Sequence, residues 1–141
     1  MKEQEGQPAM SNDPLVQAAI DVRLRAYAPY SRFQVGAAVE AVDGRIFAGC
    51  NVENAAYPEG TCAEAGAIAA MVAQGGRDIR RVVVCGGGDA ACTPCGGCRQ
   101  KIREFASPRT PVTMVSAGGA VLLVRTLAEL LPDSFGPDSL T

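Results

Sequence analysis

Three consecutive valines, Val82-Val83-Val84, place the tightest constraint on how this chain can fold. Successive strand residues point to opposite faces, so a strand over Arg81–Cys85 is apolar on both sides and needs cover on both. The chain has 141 residues, of which 48% are hydrophobic and 20% charged, enough for one compact domain with a core that needs no disulfides.

The flanking segments supply the cover. Asp13-Pro14 offers a helix cap and a first-turn proline. Leu15, Val16, Ala19, Ile20 and Leu24 then recur at helical spacing, with Pro29 as the stop. Val35–Val42 and Arg45–Asn51 read as strands around Asp43-Gly44, a two-residue hairpin signal. Thr61–Gln74 reads as an alanine-rich helix closed by Gly75-Gly76, its small side chains suited to close packing on a sheet. After the valine strand come a glycine turn and a helix from Pro94 to about Phe105. Val112–Val115 and Val121–Val124 are joined by a linker too short for a helix, so they are expected to be antiparallel neighbours. Thr126–Leu131 is a last short helix, stopped by Pro132. The expected fold is α/β: a three-layer α/β/α sandwich around a mixed five-stranded sheet, the last two strands antiparallel. Residues 1–10 are expected to form a flexible N-terminal arm, and 11–141 a single domain that includes the tail 132–141.

Charge and residue usage exclude whole classes of function. Lys and Arg number 13 against 15 Asp and Glu, a net charge of −2, which lacks the basic footprint that a phosphate backbone selects. The opening MKEQEGQPAM has no apolar signal core, and no run of about 18 apolar residues occurs. A cytoplasmic protein with no nucleic-acid and no membrane partner is expected. Six cysteines in that compartment read as thiols or metal ligands rather than disulfides. Histidine is absent from the chain, which rules out Ser-His-Asp and Cys-His catalysis and any imidazole ligand or base.

Two cysteine segments, Thr61-Cys62-Ala63-Glu64 and Pro94-Cys95-Gly96-Gly97-Cys98, each open a predicted helix. Cysteines 95 and 98 lie one turn apart and can grip one ion. Alone, that pair could equally be a redox dithiol or a zinc half-site. A third cysteine at another helix N-terminus makes an open three-thiolate zinc site geometrically feasible, with the fourth position left to water. Two helix N-termini would offset the charge of three thiolates. Glu64, two residues after Cys62, is placed to shuttle a proton rather than to ligate. The competing reading of Thr61-x-x-Glu64 is a capping box in which the carboxylate only satisfies a backbone N–H. Cys50 and Cys85 sit in apolar strands and read as inert core thiols. Cys92-x-x-Cys95-x-x-Cys98 has iron–sulfur-like spacing, but no further Cys-Pro follows. Gly86–Gly88 lack a following Gly-Lys-Ser/Thr and make a turn, not a P-loop.

Four ordered motifs carry a family resemblance: Ser31-Arg32-Phe33-Gln34-Val35-Gly36-Ala37, Asn51-Val52-Glu53-Asn54, Thr61-Cys62-Ala63-Glu64, and Pro94-Cys95-Gly96-Gly97-Cys98-Arg99-Gln100. From about Leu15 to Leu140 the chain resembles the small homotetrameric, zinc-dependent branch of the cytidine/deoxycytidylate deaminase family. The resemblance implies one Zn²⁺ per subunit on Cys62, Cys95 and Cys98, with Glu64 as catalytic proton shuttle. It implies hydrolytic deamination of free cytidine and 2′-deoxycytidine to uridine and 2′-deoxyuridine plus ammonia, in pyrimidine salvage. It further implies Asn51 and Glu53 on the ribose, Phe33 against the base, and Ala63 as a further substrate contact. Phe135 is implied as a lid and Tyr57 as a contact, both across subunits of a homotetramer. Taken as bare residues, Phe33 could be core, and Asn51 and Asn54 could shape a turn. Many relatives carry an arginine after the glutamate where this chain has Ala65, and Arg99 is the candidate substitute for its charge.

Overall fold

The computed structural model describes residues 12–141, so the expected arm at 1–10 lies outside the described residues. Helix α1, Pro14–Arg23, starts as the sequence indicates, with Asp13 as N-cap accepting from the Leu15 N–H at 3.0 Å. It stops well short of Pro29. Leu24, Arg25 and Ala26 make tighter turn-like bonds to the residues three before them, and the Tyr27 N–H is drawn away to the Asn51 carbonyl.

Strands β1, Gly36–Ala41, and β2, Ile46–Cys50, form an antiparallel hairpin. Its connection is wider than the two residues expected. The turn spans 42–45, with Gly44 at φ +94° where side chains are disfavoured. Strand β3 is Ile79–Cys85 and strand β4 is Pro111–Val115, and these two run parallel. Strand β5, Val121–Thr126, closes the sheet antiparallel to β4, in the order β2-β1-β3-β4-β5. Helices α2, Ala63–Ala73, and α3, Gly96–Phe105, precede a short α4, Leu127–Leu130. Thr126 and Glu129 form a capping box at the start of α4.

The valine strand explains the layers. Val83 and Cys85 face Leu15, Val16 and Ala19 of α1. Val82 and Val84 face the other way, into a cluster with Ala67, Ile68 and Met71 of α2 and Ile102 of α3. The sandwich is therefore helix, sheet and helices, as the alternation of apolar side chains requires. Two glycines let helix backbone lie on strand backbone. A Cβ at Gly36 would fall 2.2 Å from the Ala19 carbonyl oxygen, and one at Gly49 would fall 2.3 Å from the Ala67 amide nitrogen. At the far rim, Arg81 ties α1 to the sheet, pairing with Asp13 at 3.0 Å and Glu40 at 2.7 Å.

Candidate active site

Both cysteine-bearing helices begin later than the sequence indicates, and the delay builds the site. Cys62 is the N-cap of α2 and Cys95 the N-cap of α3, each in an extended backbone conformation. Cys98 sits one turn into α3. Each helix thus turns its free amide groups toward a sulfur. The three Sγ atoms lie within 4.8 Å of one another, Cys98 buried and the other two exposed.

The donor set fits zinc. Tetrahedral coordination at about 2.3 Å per sulfur spaces two sulfurs about 3.8 Å apart, and Cys62 Sγ and Cys95 Sγ are 3.9 Å apart. The thiols respond differently to their surroundings. The backbone N–H of Cys98 holds the Cys95 thiol below its usual range, whereas burial pushes those of Cys62 and Cys98 up. A divalent cation is what would let three neighbouring sulfurs ionise together.

Glu64 lies in the first turn of α2, but the N-cap is Cys62 rather than Thr61 and makes no side-chain cap bond, so no Thr61–Glu64 capping box forms. The capping-box reading of Thr61-x-x-Glu64 is set aside for this reason. Thr61 is instead paired with Val52 in an isolated antiparallel bridge. The Glu64 side chain is 4% exposed and lines the same cleft as Cys62 and Cys95. Burial raises its pKa above the ordinary carboxylate value, opposed first by its own backbone N–H and then by a contact with Cys98 and the charge of Lys101.

The cleft has a volume of about 340 Å³, and Asn51, Glu53, Tyr57, Ala63, Cys92 and Thr93 are among its walls. The segment carrying Asn51 and Glu53 lies past the end of β2, held between Tyr27 and Thr61 by isolated bridges at Val52. Asn51 braces the loop opposite: its Oδ1 accepts from the Val35 N–H and its Nδ2 donates to the Phe33 carbonyl, both at 2.9 Å. Glu53 Oε1 accepts from the N–H groups of Tyr30 and Ser31 at 2.9 and 3.1 Å. Phe33 and Phe135 are 47% and 58% exposed, outside the walls of the cleft among the described residues. The tip of the Phe33 ring still comes close, because a Cβ at Gly86 would meet both Phe33 Cζ and the Cys92 side chain. Tyr57 packs edge-on against Tyr30, ring centres 6.2 Å apart.

Some expectations are corrected by these contacts. Arg99 does not take the place of the arginine missing at Ala65. Its Nε donates to the Pro94 carbonyl and its Nη1 to the Leu130 carbonyl, both at 2.7 Å, so its charge is spent on backbone. Cys92 lines the cleft but stands outside the three-sulfur group, in line with the missing Cys-Pro of an iron–sulfur run. Its thiol is pushed up to about 11, chiefly by burial. Val35, Val52, Gly60 and Thr93 also line the cleft, and no motif singled them out as walls.

Comparison with known proteins agrees with this geometry. Residues 10–114 match the family model described as the cytidine and deoxycytidylate deaminase zinc-binding region. A cytidine deaminase of Sporosarcina psychrophila is 39% identical over 132 residues, covering 94% of this chain and 96% of the relative. One from Mycobacterium tuberculosis is 40% identical over 121 residues, 82% of each chain. The crystal structure of cytidine deaminase from Burkholderia pseudomallei superposes with a TM-score of 0.80 at 42% identity, covering 86% of this chain and 96% of that one. Three clustered thiols able to hold one metal ion, a buried carboxyl in the cleft they border and relatives matched nearly end to end have one common reading: this chain belongs to the zinc-dependent cytidine and deoxycytidylate deaminase family.

Proposed function

We propose that the chain hydrolyses free cytidine and 2′-deoxycytidine to uridine and 2′-deoxyuridine, releasing ammonia, as a step of pyrimidine salvage. The observation that carries this reading is Glu64, a buried carboxyl of raised proton affinity that shares a cleft with Cys62 and Cys95, two of three clustered sulfurs. Cys62, Cys95 and Cys98 hold the zinc, one ion per subunit. When bound, that ion supplies Lewis acidity, which lowers the pKa of a coordinated water toward neutrality. Glu64 would take a proton from the attacking water and deliver it to ring N3 as C4 is attacked, then carry the remaining proton of the oxygen added at C4 to the amino group, so that the C4–N bond breaks and ammonia leaves as C4=O forms. Ala63 lines the cleft between Cys62 and Glu64 and borders the pyrimidine. Asn51 and Glu53 receive the ribose hydroxyls, and Phe33 stacks on the base from its position beside Gly86.

A homotetramer accounts for surface that a lone chain leaves open. Val121 and Val124 of the edge strand are 47% and 49% exposed, and Ala65, Ile68, Ala69, Val72 and Phe105 line an apolar groove between α2 and α3. In that assembly Phe135 acts as a lid over a neighbour's cleft and Tyr57 contacts across the interface. The tail that bears Phe135 is fastened to α3 by Gln100 on the Phe135 carbonyl and by Arg103 on Ser134 and Asp138. No helix among the described residues is long and apolar enough to cross a membrane, which accords with a cytoplasmic setting. The testing experiment is ultraviolet-monitored conversion of cytidine to uridine, with and without a strong chelator. Turnover abolished by chelator and restored by zinc is expected, and chelator-insensitive turnover, or none from any cytidine, overturns the reading.

A further inference from the structure

Ser31 is the junction between the two loops that face each other across the cleft mouth. Its hydroxyl donates to Glu53 Oε2 and accepts from the Phe33 N–H at 3.0 Å. Its own N–H and that of Tyr30 donate to Glu53 Oε1. One short side chain therefore fixes the orientation of a carboxylate on one loop and of an aromatic backbone on the other. The turn it spans is under strain, because Arg32 stands at φ +60°, the left-handed region that disfavours a side chain. Such a turn keeps its shape only when surrounding bonds impose it, and four of those bonds meet at Ser31 and Glu53.

We propose that Ser31 is a positioning residue for substrate recognition: by aiming the Glu53 carboxylate and the Phe33 backbone together, it sets affinity for the sugar hydroxyls of the nucleoside. This rests on the deaminase reading above. Ser31 itself touches neither the metal ligands nor Glu64, so its effect falls on binding rather than on proton transfer.

The test compares wild type, Ser31→Ala, Ser31→Thr and Ser31→Cys on cytidine and on 2′,3′-dideoxycytidine, which lacks the hydroxyls that Glu53 would accept. Loss of a hydrogen bond to a carboxylate predicts a KM for cytidine raised about tenfold or more in Ser31→Ala. Its kcat and zinc content should match wild type. Ser31→Thr restores the hydroxyl and the KM. Ser31→Cys keeps the shape with weaker bonds and falls between, so the series is readable even where the alanine variant folds poorly. On the dideoxynucleoside the KM penalty should be clearly smaller, because only the Phe33 side of the junction is lost. Equal penalties on both substrates mark a merely structural serine and overturn the proposal, as does an unchanged KM on cytidine. Wild-type protein that turns over neither compound removes the deaminase reading and this inference together, whereas active wild type with an indistinguishable alanine variant removes the inference alone.

Discussion

The two walls of the cleft are built by opposite means. On one side Cys62, Glu64, Cys95 and Cys98 sit at the starts of two helices seated on the sheet. On the other side Asn51 and Glu53 sit on a loop that is tied to the Tyr30–Val35 segment by side-chain hydrogen bonds. The first wall takes its accuracy from packing and from the direction of helix amides. The second takes it from a few hydrogen bonds, each replaceable by one substitution. In the proposed reading, chemistry sits on the stiff wall and recognition on the adjustable one.

Cys95→Ala attacks the stiff wall most directly. It should abolish zinc binding by elemental analysis, remove measurable turnover, and lower the thermal midpoint, because metal affinity is folding free energy at such sites. Retained zinc with wild-type turnover would mean that the three sulfurs do not act as a unit. Glu64→Gln keeps the wall and removes its proton carrier. Zinc content and thermal midpoint should hold while kcat falls by about 10²–10⁴, and near-normal turnover would reduce Glu64 to a filler of the cleft.

Asn51→Ala tests the adjustable wall. It strands the Val35 N–H and the Phe33 carbonyl, at a cost of about 1–3 kcal/mol, with KM rising and zinc content unchanged. A loss of zinc in that variant would show that the walls are coupled after all. The smallest effect is expected far from both, at Arg81. Its guanidinium holds the carboxyls of Asp13 and Glu40 below their ordinary range. Groups with lowered folded pKa add stability above the unfolded pKa of about 4 and lose it as pH falls through the folded value. Arg81→Gln should therefore lower the thermal midpoint slightly at pH 7, by under about 1 kcal/mol for partly exposed pairs. It should also flatten the decline of that midpoint below about pH 4. Zinc content and kcat should not move, and an unchanged acid limb would mean the pairs contribute nothing.

The stiff wall was the more legible one in the amino-acid sequence. Periodicity exposes helices, and a valine run exposes a strand covered on both sides, so the sheet, its order of elements and the presence of two cysteine-bearing helices follow from pattern, though not where those helices begin. The wider turn at 42–45 and the early end of α1 did not, because partners distant in sequence decide them, Asp78 for Val42 and Asn51 for Tyr27. The same reason hid the bracing of the loops. Nothing local to Ser31 reveals that its partner is 22 residues away. Family resemblance pointed to Asn51 and Glu53 as ribose contacts, whereas the backbone bonds they make here could be read only from the folded chain. Arg99 shows the converse limit: a cation close in sequence to the ligands was a natural candidate for neighbouring their sulfurs, yet two carbonyls claim it.

Gly49 carries a consequence for how this molecule can change. Because Ala63, Gly66 and Ala67 rest on it with no room for even a methyl group, the helix bearing Cys62 and Glu64 has a single permitted height above the sheet. A lineage descending from this chain, or an engineer starting from it, inherits the reaction geometry as a fixed casting. New diets of modified nucleosides would have to be won at the loop mouth, where a changed side chain disturbs a few hydrogen bonds and leaves the casting intact.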